Sequence, residues 1–114
     1  MIVEKRQLEG GGTLLKVEGV IKLGESARFF TQALERVLEE ERGHVVVDLS
    51  RIDMIDSTGI GELVGYLGRF RDRRRELILV NPSDRIRRLL EVAHLVELFP
   101  IYDTVDDAVE GRPS

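Results

Sequence analysis

Apolar and polar residues alternate with a period of two near the start of the chain, which is typical of a strand with one buried face. The alternation is regular over residues 13–21 and weaker over residues 2–9. Three glycines at positions 10–12 separate the two segments and permit a tight reversal. The pattern therefore predicts a β-hairpin.

Residues 25–41 have apolar side chains at helical spacing, which predicts an amphipathic helix that ends before Gly43. The core-facing residues of this helix are predicted to be Ala27, Phe30, Leu34, Val37 and Leu38. The same spacing predicts a second helix over residues 58–72. A third helix is predicted to follow Ser83, which is a preferred N-cap residue. Its inner face is predicted to consist of Ile86, Leu89, Leu90 and Ala93.

Short apolar runs predict the remaining strands, at residues 45–49, 76–80 and 98–101, and residues 103–109 indicate a last short helix. The element order is then β-β-α-β-α-β-α-β-α. This order predicts an α/β fold: one domain over residues 1–114, with a mixed, mainly parallel sheet of about four to five strands and about four helices. The core is expected over residues 2–110, with a frayed tail at 111–114.

The composition of the chain argues against several classes of function. The chain has 114 residues, a formal charge of −4, two histidines and no cysteine. These features argue against a nucleic-acid binder, a disulfide framework, a Cys nucleophile and a metal centre, and no cofactor is expected. The sequence has neither a signal-peptide pattern nor an apolar run of about 20 residues. A cytoplasmic protein without membrane insertion is therefore expected.

The segment Asp56-Ser57-Thr58-Gly59-Ile60-Gly61 follows a strand and opens the second helix. A hydroxyl at this place can cap the helix or can be presented for phosphorylation. The two roles are compatible, and we expect Thr58 to be the cap and Ser57 to be modified. The residues expected to shape the site or to contact a partner are Asp56, Thr58, Gly59, Ile60, Gly61 and Gly65.

Gly61, Gly65 and Gly68 share one face of the second helix. Glycine is unfavourable in a helix interior, so the presence of three glycines on one face has to be explained. This face could pack closely on the sheet of this protein, or it could be a docking surface for a partner, and the residues alone leave both readings open.

Two further groups of charged residues say less about the function of the protein. The arginines at the end of the second helix are expected to form a solvated face, stabilised by the helix dipole, or else to bind an acidic surface of a partner. They are Arg69, Arg71, Arg73, Arg74 and Arg75. The acids Asp48, Asp53 and Asp56 are accompanied by no phosphate-binding loop, so we expect no enzyme.

The Asp56–Gly61 segment resembles the STAS domain family, and within it the bacterial anti-sigma factor antagonists. The other segments that carry the resemblance are Val45-Val46-Val47-Asp48-Leu49-Ser50, Asn81-Pro82-Ser83, Arg88–Leu95 and Phe99–Ala108. His94 stands where many relatives have glycine; histidine is among the better tolerated residues if this position is left-handed.

The resemblance implies a switch. In such antagonists the serine after the motif aspartate, here Ser57, is phosphorylated. The unphosphorylated form binds an anti-sigma factor that is also a serine kinase with a histidine-kinase-like ATPase fold, which frees a sigma factor. A phosphatase of the 2C type restores the active form. The protein would be a monomer or a weak homodimer.

Two alternatives remain open within the same family. One is a scaffold subunit of a stress-sensing complex, which would use the same serine within a large assembly. The other is a STAS accessory subunit of a membrane transporter, which would have no phosphorylation cycle.

Overall fold

The strands and helices occur in the predicted order. The structure, a computed structural model, describes residues 1–111. The strands are β1 (Ile2–Gln7), β2 (Thr13–Ile21), β3 (Val45–Ile55), β4 (Leu77–Val80) and β5 (Ile101–Tyr102). The helices are α1 (Glu25–Glu40), α2 (Ser57–Asp72), α3 (Asp84–Val92) and α4 (Val105–Gly111).

The five strands form one sheet in the order β1-β2-β3-β4-β5. β1 pairs with β2 in the antiparallel hairpin that the glycines at 10–12 predict, and every other pair is parallel. The prediction of a mixed, mainly parallel α/β sheet is therefore confirmed. Because β2, β3 and β4 are parallel, their carboxyl ends lie at the same edge of the sheet, and the turn from β3 into α2 begins there.

The helices cover the two faces of the sheet unequally. α1, α2 and α3 pack on one face around a large core, whereas α4 covers a smaller cluster on the other. All five predicted core residues of α1 are buried. The prediction for α3 is only half right: Ile86 and Leu90 are buried, but Leu89 and Ala93 are exposed.

Several boundaries differ from the sequence prediction, those of β3 and β5 most. β3 is 11 residues long and continues to Ile55. The sequence pattern missed its second half because buried and exposed residues alternate less regularly there. Register shifts opposite β2 disturb the period of two there. β5 is an edge strand as expected but lies at residues 101–102, and α4 begins at Val105. Gly111 belongs to α4 rather than to a frayed tail; residues 112–114 lie outside the described part of the chain.

The arginines after α2 are not simply a solvated face. Arg75 donates hydrogen bonds to the carbonyl oxygens of Val37, Leu38 and Gly43 at 3.1, 2.9 and 2.6 Å. Arg73 donates a second bond to Leu38 O at 2.9 Å. Carbonyls at a helix C-terminus lack partners within the helix. The two arginines therefore cap α1, whose last turn contains no basic residue of its own.

Within residues 1–111, no helix is both long enough and apolar enough to cross a lipid bilayer.

We expect Arg75→Ala to lower the free energy of unfolding by about 2 kcal/mol, since hydrogen bonds to a charged donor are lost at three carbonyls. Arg75 also stacks on Phe70, 4.7 Å from the ring centre. Urea unfolding followed by circular dichroism measures the change. Arg85→Ala is the matched control, because Arg85 is exposed and makes no side-chain hydrogen bond within residues 1–111. Equal stabilities of the two variants would contradict the capping role.

Candidate functional site

Asp56 lies between the end of β3 and the start of α2. Its backbone is extended, and its carboxylate Oδ1 accepts a hydrogen bond from Gly59 N at 3.0 Å. This is the standard N-cap geometry, in which the side chain satisfies the N–H three residues later. The cap is therefore Asp56, and the prediction that Thr58 is the cap is wrong. Aspartate itself is a preferred N-cap residue, so the signal was present in the sequence.

The second carboxylate oxygen of Asp56 binds a different part of the chain. Oδ2 accepts a hydrogen bond from Leu23 N, in the loop between β2 and α1, at 2.8 Å. Asp56 N also donates to Ile21 O at 3.0 Å. The backbone of Asp56 thus binds the end of β2, and its side chain joins the loop after β2 to the first turn of α2. The N–H groups of Gly59 and then of Leu23 stabilise the carboxylate and hold the pKa of Asp56 below its ordinary value.

Ser57 is the first residue of α2 and is exposed to solvent. Its hydroxyl makes no hydrogen bond to any other residue in the described range 1–111, because Asp56 supplies the cap. Thr58 and Ile60 are partly buried, and Ile60 packs against the main core. Of the two hydroxyls at the start of the helix, Ser57 is therefore the more accessible.

Gly59 is required by packing. A Cβ at this position would lie 2.6 Å from Ile55 Cγ1 and 2.8 Å from Ile21 Cγ2. Real Cβ atoms do not approach other atoms this closely, and β-branched side chains have little freedom to move away. The first turn of α2 can lie against β2 and β3 only because this residue has no side chain.

Gly61, Gly65 and Gly68 differ from Gly59 in this respect. All three are exposed, and a Cβ at any of them would have no neighbouring atom within 4 Å. The first of the two readings of this face, close packing on the sheet, is therefore wrong. Ser57 lies on the same face, four residues before Gly61. We call Ser57, Gly61, Gly65 and Gly68 the α2 stripe.

The remaining candidate residues form no second site. Asp48 accepts hydrogen bonds from the hydroxyl and the backbone N–H of Ser50 at 2.7 and 3.0 Å. Residues 1–111 contain no group of three or more His, Asp or Glu side chains that could hold a metal ion. His94 has a left-handed backbone with φ of 58°, a conformation in which histidine is among the better tolerated residues other than glycine.

Sequence reasoning missed Leu23. It lies in a short loop, and it belongs to the site only because its N–H reaches Asp56 across 33 positions of sequence. A single apolar residue between Lys22 and Gly24 has no periodicity that could have revealed this role.

The profile of the family described as "STAS domain" matches residues 3–108. The chain belongs to the STAS domain family. An anti-sigma-B factor antagonist of Listeria monocytogenes is 39% identical over 71 residues, and this alignment covers 61% of each chain. An anti-sigma-B factor antagonist of Staphylococcus aureus is 34% identical over 86 residues, covering 71% of this chain and 80% of the relative.

The fold agrees with solved STAS structures. An anti-sigma factor antagonist from Mycobacterium paratuberculosis superposes with a TM-score of 0.87 at 24% identity. The superposition covers 96% of this chain and 92% of the other. At this level of identity the likeness establishes the STAS fold of the described structure.

Replacement of glycine by alanine is expected to have opposite effects on stability at two positions of α2 in this STAS domain. Gly59→Ala should lower the free energy of unfolding by about 1–3 kcal/mol, because the new methyl group overlaps two isoleucines. Gly65→Ala should raise it by about 1 kcal/mol, because alanine is the better helix former and the space is open. Urea unfolding of both variants checks this, and a stabilised Gly59→Ala variant would refute the packing argument.

Asp56→Asn should destabilise the domain at neutral pH, since one amide oxygen must replace a carboxylate that accepts from two N–H groups. The lowered pKa of Asp56 gives the sign of the pH dependence. Its contribution is complete above the ordinary aspartate pKa of about 3.9 and is lost as pH falls through the lower folded-state value. The stability difference between wild type and variant should therefore shrink in acid. Unfolding at pH 7 and pH 3 measures it, with Asp53→Asn, a change at an exposed carboxylate, as the control; a difference independent of pH would contradict this account.

Proposed function

We propose that this protein is an anti-sigma factor antagonist whose binding is switched off by phosphorylation of Ser57. The observation that carries the proposal is the division of roles at the start of α2. Asp56 caps the helix, and the neighbouring Ser57 hydroxyl is exposed and engaged by no other side chain or backbone group of residues 1–111. A kinase can reach this hydroxyl without disturbing a bond that the fold needs.

A phosphate on Ser57 is compatible with the folded domain. It would add about −1.5 to −2 charges at the N-terminus of a 16-residue helix, where free N–H groups and the helix dipole favour negative charge. Glu and Asp are absent from the first turn of α2, and the carboxylate adjacent in sequence is that of the N-cap, Asp56. Modification should leave the domain folded.

The same phosphate is incompatible with a partner that lies on the α2 stripe. The three glycines let the backbone of a partner approach α2 closely, and Ser57 is at one end of this surface. A partner in close contact would have to remove water from a doubly charged group beside a second anion. The interface would lose this binding energy while the fold would not, which is what a reversible switch requires.

The names of the relatives in Listeria and Staphylococcus supply the partner class: they are antagonists of an anti-sigma-B factor. By this proposal the unphosphorylated protein binds an anti-sigma factor in the cytoplasm and so frees a sigma factor. That anti-sigma factor is also the serine kinase, and a phosphatase of the 2C type resets the switch. The STAS domain is then a binding module and a kinase substrate, not an enzyme.

Ser57→Asp and Ser57→Glu are expected to weaken binding to the anti-sigma factor by at least tenfold, because each places a charge on the α2 stripe. Ser57→Ala is expected to bind like wild type and to accept no phosphate. Calorimetry with purified anti-sigma kinases from the same genome measures the affinities. Incubation with kinase and ATP, followed by mass spectrometry, identifies the modified residue.

Ser83→Asp is the matched control for added charge. Ser83 also begins a helix, where its hydroxyl accepts from Ile86 N at 3.2 Å, and aspartate caps equally well. This variant should stay folded and bind with unchanged affinity. The switch is rejected if Ser57→Asp binds as tightly as Ser83→Asp, or if phosphate is found on Thr58 alone.

A further inference from the structure

Three exposed apolar side chains lie together beside the start of α1. Leu23, Phe29 and Met1 line a shallow cleft of about 420 Å³, with Lys22, Glu25 and Ser26 at its polar margin. Leu23 is 75% exposed and Phe29 47% exposed. We call Met1, Leu23 and Phe29 the apolar patch. Single exposed apolar residues are ordinary, but a cluster around a cleft is typical of a contact surface.

The apolar patch is attached to the switch residue through Asp56. The backbone N–H of Leu23 binds the carboxylate of Asp56, and Ser57 is the next residue along the chain. This bond holds the loop between β2 and α1 against the first turn of α2. Leu23 therefore adjoins the α2 stripe at the start of α2, and Phe29 extends the apolar patch from there along α1, toward Val3 and Leu15.

The α2 stripe lacks the apolar side-chain area that a stable interface needs. Protein interfaces of standard size bury about 800 Å² on each partner and have an apolar core inside a polar rim. Three glycines and a serine permit close approach but offer almost no apolar side-chain area. The apolar patch supplies that area next to the stripe.

We propose that the apolar patch is the apolar core of the surface that binds the anti-sigma factor, with Leu23 and Phe29 as its anchors. This inference rests on the function proposed above and assigns residues to the partner surface. Apolar side chains of the anti-sigma factor would enter the cleft, while its backbone approaches the glycines of α2. The Ser57 hydroxyl then lies beside a contact from which water is excluded, where an added phosphate is most costly.

Leu23→Ala and Phe29→Ala test the proposal. Each should weaken binding of the unphosphorylated protein to the purified anti-sigma kinase by about tenfold or more, as expected for anchor residues in the core of an interface. Thermal unfolding should change little in Leu23→Ala, because Leu23 is largely exposed, and modestly in Phe29→Ala, because Phe29 is about half buried. Val92→Ala is the matched control: Val92 is also 75% exposed but lies on α3, and this variant should bind within about twofold of wild type.

Comparison with Ser57→Asp separates the two proposals. If Ser57→Asp weakens binding but Leu23→Ala and Phe29→Ala do not, the apolar patch is not the anchor and the proposed switch stands. If the patch variants weaken binding but Ser57→Asp does not, the patch is supported and the switch fails. If no anti-sigma kinase binds wild type, both are overturned.

The patch could instead be a contact between two copies of the chain. Analytical ultracentrifugation of wild type and Phe29→Ala decides this. A wild-type dimer that dissociates in Phe29→Ala, together with unchanged affinity for the anti-sigma kinase, would overturn the inference.

Discussion

The carboxylate of Asp56 is the interaction on which the site depends. One oxygen accepts from Gly59 and so fixes where α2 begins; the other accepts from Leu23 and so holds the loop before α1. Had a hydroxyl performed the capping, it would have been engaged in the fold. Because aspartate does so, Ser57 is left exposed at the first position of the helix. The accessibility of the switch residue follows from the cap.

Close packing and the proposed partner access involve different glycines of one helix. Gly59 lies where β2, β3 and α2 meet, and the three elements can pack there only because glycine has no side chain. The exposed glycines at 61, 65 and 68 serve no packing purpose inside the domain. Within residues 1–111 no contact offsets the helix stability that they lose, which supports the proposed partner surface. This is the physical basis for treating the stripe as a surface for a partner.

Separation of fold and function also explains how a charge can act as a signal. At the N-terminus of α2 a phosphate meets a favourable dipole and free N–H groups, so the domain tolerates it. At a desolvated interface the same phosphate has no such compensation. The arginine caps on α1 lie at the opposite end of α2. These caps are thus away from the proposed switch.

Periodicity of apolar residues determined the element order, the hairpin, the buried face of α1 and the α/β class, because burial repeats with the geometry of the helix or strand. The Asp56–Gly61 motif identified the site. Tertiary structure alone decided which glycines are buried, that Arg75 binds α1, and that Leu23 lies beside Asp56. Each of these depends on which groups meet across 30 or more residues. The periodicity of apolar residues in a sequence shows which side chains face the core. It does not show which hydrogen-bond donor or acceptor each residue meets in the folded structure.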